Sequence, residues 1–272
     1  MKKESLEKIQ AKLELATRKW WFFLIFLFMQ FIPPYASKGY EWPEMGMVTG
    51  EILGHAIISN YAALYPIFKI APIILFILII FLRNGATRLF SIYVAINYVL
   101  IAFLQNIALT EKYGLGIVTI NFIMFLLVAI FWIWEAIAQK NDFTLRKQPP
   151  WKYWVIPLAF LAFWYPANPN TLMPDFNPIY LFINGAGLTF CMMTPVYLAI
   201  LTLYHPRVNI ATLRITSLVG LIIAFYNLWV NFFINPSVLW WNGVLHIPLL
   251  SISLYAFVLS LRKNSLEETK GD

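Results

Sequence analysis

Residues 61–83, YAALYPIFKIAPIILFILIIFLR, form an apolar run whose one internal charge is Lys69. A bilayer core is about 30 Å thick, and about 20 helical residues at 1.5 Å each span it. The run therefore predicts a transmembrane helix, and similar runs recur along the chain. The predicted spans are 20–33, 61–83, 87–109, 115–138, 152–166, 178–204, 210–234 and 244–261. The sequence thus predicts an all-α polytopic membrane helix bundle of about eight transmembrane helices.

Composition and charge support this class. The chain is 60% hydrophobic and 12% charged, far from the usage of soluble proteins. With the N-terminus in the cytoplasm, all but three of the 20 Lys and Arg lie on the inner side, the exceptions being Lys38, Lys69 and Lys112. Positive charge favours the cytoplasmic side. We therefore predict a cell-membrane protein with both termini cytoplasmic, in contact with membrane lipid and not with nucleic acid.

The sequence predicts three regions in the chain. Residues 1–19 predict an amphipathic helix on the inner membrane surface, because Leu6, Ile9, Leu13 and Ala16 recur at helical spacing among charges. Residues 20–262 form the transmembrane bundle, and residues 263–272 a cytoplasmic tail. The longest segment between spans predicts a short helix over 43–58, lying on the outer surface.

The two halves, about 20–140 and 151–262, predict a 4+4 parallel repeat. Similar residues recur in the two halves. Ala86-Thr87 and Asn106 correspond, at equal spacing, to Ala211-Thr212 and Asn231, and Gly116 corresponds to Gly243. Four helices are an even number, so both halves would enter the membrane from the same side. Parallel repeats of this kind place binding sites where their halves meet.

Lys69 is the leading candidate for a binding residue. A charge inside a span costs about 2.5–3.5 kcal/mol at mid-helix on insertion scales, so it normally faces a cavity or a partner. Pro66 and Pro72 flank it and free the carbonyls of Ala62 and Phe68 from helical hydrogen bonding. Lys69 would bind an anion or a carboxylate, or take part in a proton-linked process. The alternative is a lysine that extends to the outer headgroups.

The sixth span contains Asn184-Gly185-Ala186-Gly187 at a similar depth. Such interruptions are typical of broken helices that line a site, although small residues also permit close helix packing. Asn106 and Asn231 lie near outer helix ends, where buried amides need partners: each other, a ligand, or the surrounding fold.

Other polar residues are less specific. Glu51 and His55 are four residues apart, so they share a helical face and can pair. With His246 and Asp175 they supply metal-ligand atoms, but no metal-binding signature is present, and no metal site is predicted. Glu135 is expected to reach water or to pair with Arg146 or Lys147. No nucleotide, haem or catalytic motif occurs, so no cofactor and no catalytic residue are predicted.

Two segments resemble a domain-of-unknown-function family of small bacterial multi-pass membrane proteins. Asn60-Tyr61-Ala-Ala-Leu-Tyr65-Pro66, with Arg83 at the end of the span, has the family's order of Asn, aromatic residue and Pro. Residues 187–195, GLTFCMMTP, resemble its Gly…Pro-Cys-Pro-Thr segment, with Phe190 and Met192 at the two Pro positions. The resemblance covers residues 51–261 and implies a polytopic fold without an established activity.

The favoured function is binding or transport of a small polar or anionic solute through an outer-leaflet cavity between the halves. Its candidate ligand-binding residues are Lys69, Asn184, Gly185, Asn106, Asn231, Glu51 and His55. One alternative is an intramembrane lipid-modifying enzyme, with Glu51, His55 and His246 at the outer interface. Another is a structural or assembly subunit of a membrane complex. The sequence leaves the solute and the oligomeric state open.

Overall fold

The computed structural model describes residues 3–262, which are mostly helical. The predicted cytoplasmic tail, residues 263–272, lies outside the described residues. The α-helices are α1 (Lys3–Arg18), α2 (Trp20–Met29), α3 (Met45–Gly54), α4 (Tyr65–Leu82), α5 (Thr87–Asn106), α6 (Thr119–Ala138), α7 (Val155–Trp164), α8 (Tyr180–Ile183), α9 (Phe190–Tyr204), α10 (Ile210–Trp229) and α11 (Pro236–Leu261). Short 3-10 turns precede α3, α4, α5, α7 and α9, and a π-helical turn, Val230–Ile234, follows α10.

Four helical stretches are long and apolar enough to cross a membrane: Ile57–Asn106, Thr119–Ala138, Ile210–Ile234 and Pro236–Leu261. A fifth is obtained if Tyr180–Leu188 and Phe190–Tyr204, bent by 95°, count as one span. Helices α2 and α7 have ten residues each, about 15 Å of helix. The structure therefore agrees with a helical membrane protein, while eight full-length spans remain a prediction.

The longest of these stretches reverses direction. Ala56, just before it, pairs with Ala108, just after it. A straight helix of this length would hold those residues about 75 Å apart. The reversal lies at the Arg83–Ala86 turn, where Arg83 has a positive φ of 50°. Helices α4 and α5 are therefore antiparallel.

The bundle has two chemically distinct ends. One, the strand end, carries a three-stranded antiparallel sheet in the order β1 (Tyr35–Ala36), β3 (Gly114–Ile117), β2 (Ile107–Thr110). At the other, the α1 end, helix α1 packs against α6 and α10. The predicted helix over 43–58 is confirmed as a 3-10 turn, Trp42–Glu44, followed by α3 at the strand end.

Large aromatic side chains fill the centre between the two ends. Tyr98 of α5 and Tyr197 of α9 are fully buried with ring centroids 5.7 Å apart. Phe125 of α6 stacks on Phe190 of α9 at 4.1 Å. Trp132 of α6 donates from Nε1 to Thr216 of α10 at 3.1 Å. Packing of this density joins helices from both halves.

Several predicted boundaries are wrong. Residues 107–110 and 114–117 are strands and not helix, with a turn between them in which Gly114 adopts a positive φ of 69°. The last helix begins at Pro236 and not near residue 244, because proline suits a first helical turn. The amphipathic helix α1 was predicted to lie on the membrane surface through its apolar side chains. Its polar side chains Gln10 and Thr17 are also buried, and they lie against the bundle.

The proposed repeat has matching and unmatched parts. Asn106 ends α5 and Asn231 follows α10, and both helices have 20 residues. However, α4 is continuous whereas α8 and α9 meet at the 95° bend. The duplication stays a prediction.

Candidate functional site

Lys69 lies on the second turn of α4 and is completely buried. Its Nζ donates a hydrogen bond to the carbonyl oxygen of Phe163 and lies 4.4 Å from the centre of the Phe163 ring. An ammonium carries three N–H donors, and no second acceptor for them occurs within the described residues. None of the ion pairs found among residues 3–262 involves Lys69. Lys69 therefore retains unused hydrogen-bonding capacity and has no counter-ion among these residues.

The Phe163 carbonyl belongs to the carboxyl turn of α7, residues 163–166. This helix ends because Tyr165 adopts a left-handed conformation, with φ 50° and ψ 68°, and Pro166 follows. Asn184 Nδ2 donates to the carbonyls of Trp164 and Tyr165 at 2.8 and 3.1 Å. Lys69 and Asn184 thus satisfy three successive carbonyls at the negative end of the α7 dipole.

The predicted break in the sixth span occurs at these residues and packs on α4. Asn184 Oδ1 accepts from the backbone N–H of Ala186 at 3.1 Å, which starts the Gly185–Leu188 turn. A Cβ at Gly187 would overlap the Phe68 carbonyl, the group that Pro72 deprives of its helical donor. A Cβ at Gly185 would lie 3.2 Å from the Tyr65 ring. Both glycines therefore permit close approach of the two halves.

The sequence analysis did not identify the residue of α5 that binds the Gly185–Leu188 turn. Asn97 of α5 is fully buried and donates from Nδ2 to the Gly187 carbonyl at 3.0 Å. Its Oδ1 accepts from the Tyr197 hydroxyl at 3.0 Å. Gln105 Oε1 accepts from the Phe190 N–H, the first of α9, also at 3.0 Å. A lone Asn within an apolar run was the available signal.

A second polar branch connects Asn231 to the same carboxyl turn. The Tyr165 hydroxyl donates to Asn242 Oδ1 at 2.8 Å, and Asn242 Nδ2 donates to Asn231 Oδ1 at 3.1 Å. His246 Nδ1 lies 2.6 Å from the Asn242 carbonyl and donates to it. Asn231 Nδ2 is buried and has no partner among residues 3–262. Lys69, Asn184, Gly185 and Asn231 are therefore joined through residues 163–166.

The other predicted site residues lie elsewhere. Asn106 Nδ2 donates to the carbonyls of Ile101 and Ala102 in its own helix, at 3.3 and 3.2 Å. Glu51 of α3 and His55, which follows this helix directly, pair with each other at 3.5 Å, and both are partly exposed. Within the described part of the chain, no group of three His, Cys, Asp or Glu could hold a metal ion. Hydrogen bonding and charge are thus the chemistry that this site offers.

An apolar groove lies on the same face of α4 as Lys69. It encloses about 530 Å³ between α4, α7, α8 and α9. Phe163 forms part of its wall and also contacts Lys69. The groove therefore begins one aromatic ring away from the buried ammonium.

The α1 end carries a separate buried polar cluster. Glu135 is completely buried and accepts hydrogen bonds from the Asn141 N–H and from Asn209 Nδ2, each at 2.8 Å. The expectation that Glu135 reaches water, Arg146 or Lys147 is therefore wrong. Gln10 of α1 completes the cluster by donating to Asn209 Oδ1 at 2.9 Å.

An ion pair at the surface of this end fixes the loop between α6 and α7. Arg207 donates to Asp142 at 2.5 Å. Burial alone would raise the pKa of Asp142, but hydrogen bonds from Thr144 and Asn84 and the charge of Arg207 hold it below its ordinary value.

Comparison with protein families, with curated proteins and with solved structures gives no match to this chain. A functional assignment must therefore come from the chemistry of these residues.

Proposed function

We propose that this chain is a multi-pass protein of the cell membrane that binds a small anionic solute at Lys69, between its two halves. In this arrangement α2, α4, α5, α6, α7, α9, α10 and α11 cross the membrane, with the shorter α2 and α7 in locally thinned bilayer. The α1 end and both termini face the cytoplasm. Multi-pass topology is supported by the four or five long apolar helices.

Charge supports the orientation. The positive residues in the loops between helices gather at the α1 end, including Arg83, Arg146 and Arg207, whereas Lys38 and Lys112 lie beside the strands. Cytoplasmic loops carry such an excess of Lys and Arg.

The observation that carries the binding function is the buried charge of Lys69, which has no counter-ion among the described residues. A buried charge without a counter-ion is costly, and an anion that reaches it would recover the lost electrostatic energy. The surrounding residues come from α4 on one side and from α7 and the Gly185–Leu188 turn on the other. An anion there would touch both halves, as the predicted repeat requires.

Topology is tested by single cysteines in a Cys191→Ala background. Ser37, Thr171 and Ser237 are exposed at the strand end, and Lys147 is exposed at the α1 end. Cysteines at the first three positions should react with an impermeant reagent added to intact cells, and one at Lys147 should react only after lysis. The reverse pattern would exclude this orientation.

Binding is tested by the thermal stability of the purified protein in detergent, with butyrate and inorganic phosphate as probes. A ligand at 100 times its Kd stabilises the folded state by about 2.7 kcal/mol. We expect one of these anions to raise the Tm of the wild type and not that of Lys69→Met.

Lys112→Met is the matched control, because Lys112 is an exposed strand-end lysine paired with Glu44 at 3.3 Å. It should respond as the wild type does. Equal responses of Lys69→Met and the wild type would exclude Lys69 as the anion site.

The enzyme alternative gains no support from the geometry. Glu51 and His55 engage each other, while His246 is buried against Asn242.

A further inference from the structure

The apolar groove is the largest space described beside Lys69 that a ligand could fill. Its wall includes Ile73, Phe76, Ile80, Ala159, Phe163 and Ala199. Ile80 and Phe160 are about half exposed, so the groove opens sideways, toward the lipid of a membrane-embedded bundle. An apolar space does not hold water, and leaving it empty forfeits dispersion contacts along its lining. Hydrocarbon is the material that fits it.

Lys69 and three residues of the groove lie in a strip along one face of α4, with the Phe163 ring between the ammonium and the groove. Ile73, Phe76 and Ile80 follow Lys69 by four, seven and eleven residues, which places all four on one helical face. The strip is about 16 Å long by helix rise. It has a positive charge near the strand end, and toward the α1 end the groove lining is apolar except for Tyr204.

From this polarity we infer that the groove binds a single-chain amphiphile with a carboxylate head, of the fatty-acid type. The head pairs with Lys69 and the alkyl chain lies along α4, α7 and α9. The inference rests on the proposed anion site and names its ligand class. Rotation of the Phe163 ring, which touches both regions, would join the groove to the ammonium.

Charge and size select this class. One ammonium matches a monoanion, so a carboxylate suits it better than a doubly charged phosphate monoester. The volume of about 530 Å³ lies within the range of about 300–1,000 Å³ that is usual for small-molecule sites. A transmembrane helix of a partner would fill the groove but leave Lys69 uncompensated.

The test uses the full chain in lipid nanodiscs with stearate that carries a nitroxide near its methyl end. The immobilised fraction of the electron paramagnetic resonance spectrum reports a chain held in the groove. We expect the wild type to immobilise stearate at least tenfold more strongly than its uncharged methyl ester. Lys69→Met should remove this preference for the acid.

Variants that fill the groove distinguish binding of the alkyl chain from binding of the carboxylate head. Ala159→Phe should abolish immobilisation of stearate and keep the thermal response to the short anion at Lys69. Ala199→Leu serves as a second filling variant if Ala159→Phe fails to fold. Ile130→Phe enlarges an exposed apolar residue of α6 that does not line the groove, and it should behave as the wild type.

Each contrary outcome has a definite meaning. A response to the short anion without immobilised stearate would overturn the amphiphile and leave the anion site intact. Loss of both would overturn the two together. Immobilisation that Ala159→Phe removes but that ignores the charge of the head would show an apolar occupant with no role for Lys69. Dimers that Ala159→Phe dissociates, with no stearate bound, would assign the groove to a second copy.

Discussion

Two buried cations, at opposite ends of the bundle, differ in how fully they are engaged. Arg214, 3% exposed, donates to the carbonyl of Glu14 at 3.0 Å, to Thr17 Oγ1 at 2.8 Å and to the carbonyl of Ser260 at 2.5 Å. Among residues 3–262, Lys69 donates one hydrogen bond, to the Phe163 carbonyl, and its Nζ also lies over the Phe163 ring. Arg214 thus joins α1, α10 and α11, whereas Lys69 uses one of its three N–H donors. The comparison separates a cation that holds helices together from one that is free to meet a ligand.

Removal of the engaged cation should have the largest effect. Arg214→Met loses three hydrogen bonds from a charged donor, and such bonds contribute about 1.5 kcal/mol each or more. We expect at least about 4.5 kcal/mol less stability and easier tryptic cleavage of α1 at Lys8 and Lys12. Thermal unfolding and limited proteolysis in detergent measure both. A Tm close to that of the wild type would mean that α1 is held by other contacts.

The contact between the halves gives the next largest effect. Gly187→Ala forces a methyl group against the Phe68 carbonyl, which is rigid backbone. Overpacking of this kind costs about 2 kcal/mol. Gly50→Ala in α3 is the control, because no atom lies within 4 Å of the added Cβ. If the two variants unfold at the same temperature, the Gly185–Leu188 turn does not press on α4.

The sequence analysis singled out Lys69 and the Gly-rich break because their signals are local. A lysine inside an apolar run and a Gly-rich interruption at similar depth both violate the expected composition of a span. The Glu51–His55 pair followed from helical spacing alone and is confirmed at 3.5 Å. Such features depend on residues within one or two turns of each other.

The contacts that the sequence analysis did not predict join residues that are far apart in the chain. Asn97 bonds Gly187, 90 residues away, and Glu135 bonds Asn209, 74 residues away. Nothing periodic marks such pairs, because the two partners lie on different segments of the chain. The carboxyl turn of α7 was missed for the same reason, since carbonyl groups carry no sequence signature.

Substitution of the less engaged cation should have a much smaller effect on stability. Lys69→Met removes a charge that has no counter-ion among the described residues and leaves the Phe163 carbonyl without its donor. These two effects oppose each other, so we expect a net change below about 1 kcal/mol. Thermal unfolding of Lys69→Met and Arg214→Met in the same detergent makes the comparison direct. A loss for Lys69→Met as large as that for Arg214→Met would make Lys69 a structural residue.

The smallest effect concerns acid sensitivity at the α1 end. His205 lies between α9 and α10, and its buried Nε2 has no partner among residues 3–262. Burial, reinforced by the charges of Lys152 and Arg262, lowers the pKa of His205 to about 4. Because the unfolded chain then binds a proton more readily, the stability contributed by neutral His205 is complete above about pH 6.5, falls as the pH drops toward 4, and levels off below that.

His205→Gln should flatten this part of the curve of Tm against pH. The Asp142 carboxylate contributes only at lower pH, because its pKa is depressed and its stabilising charge is lost last. A slope between pH 6.5 and 4 that survives in His205→Gln would place the acid-sensitive group elsewhere in the molecule.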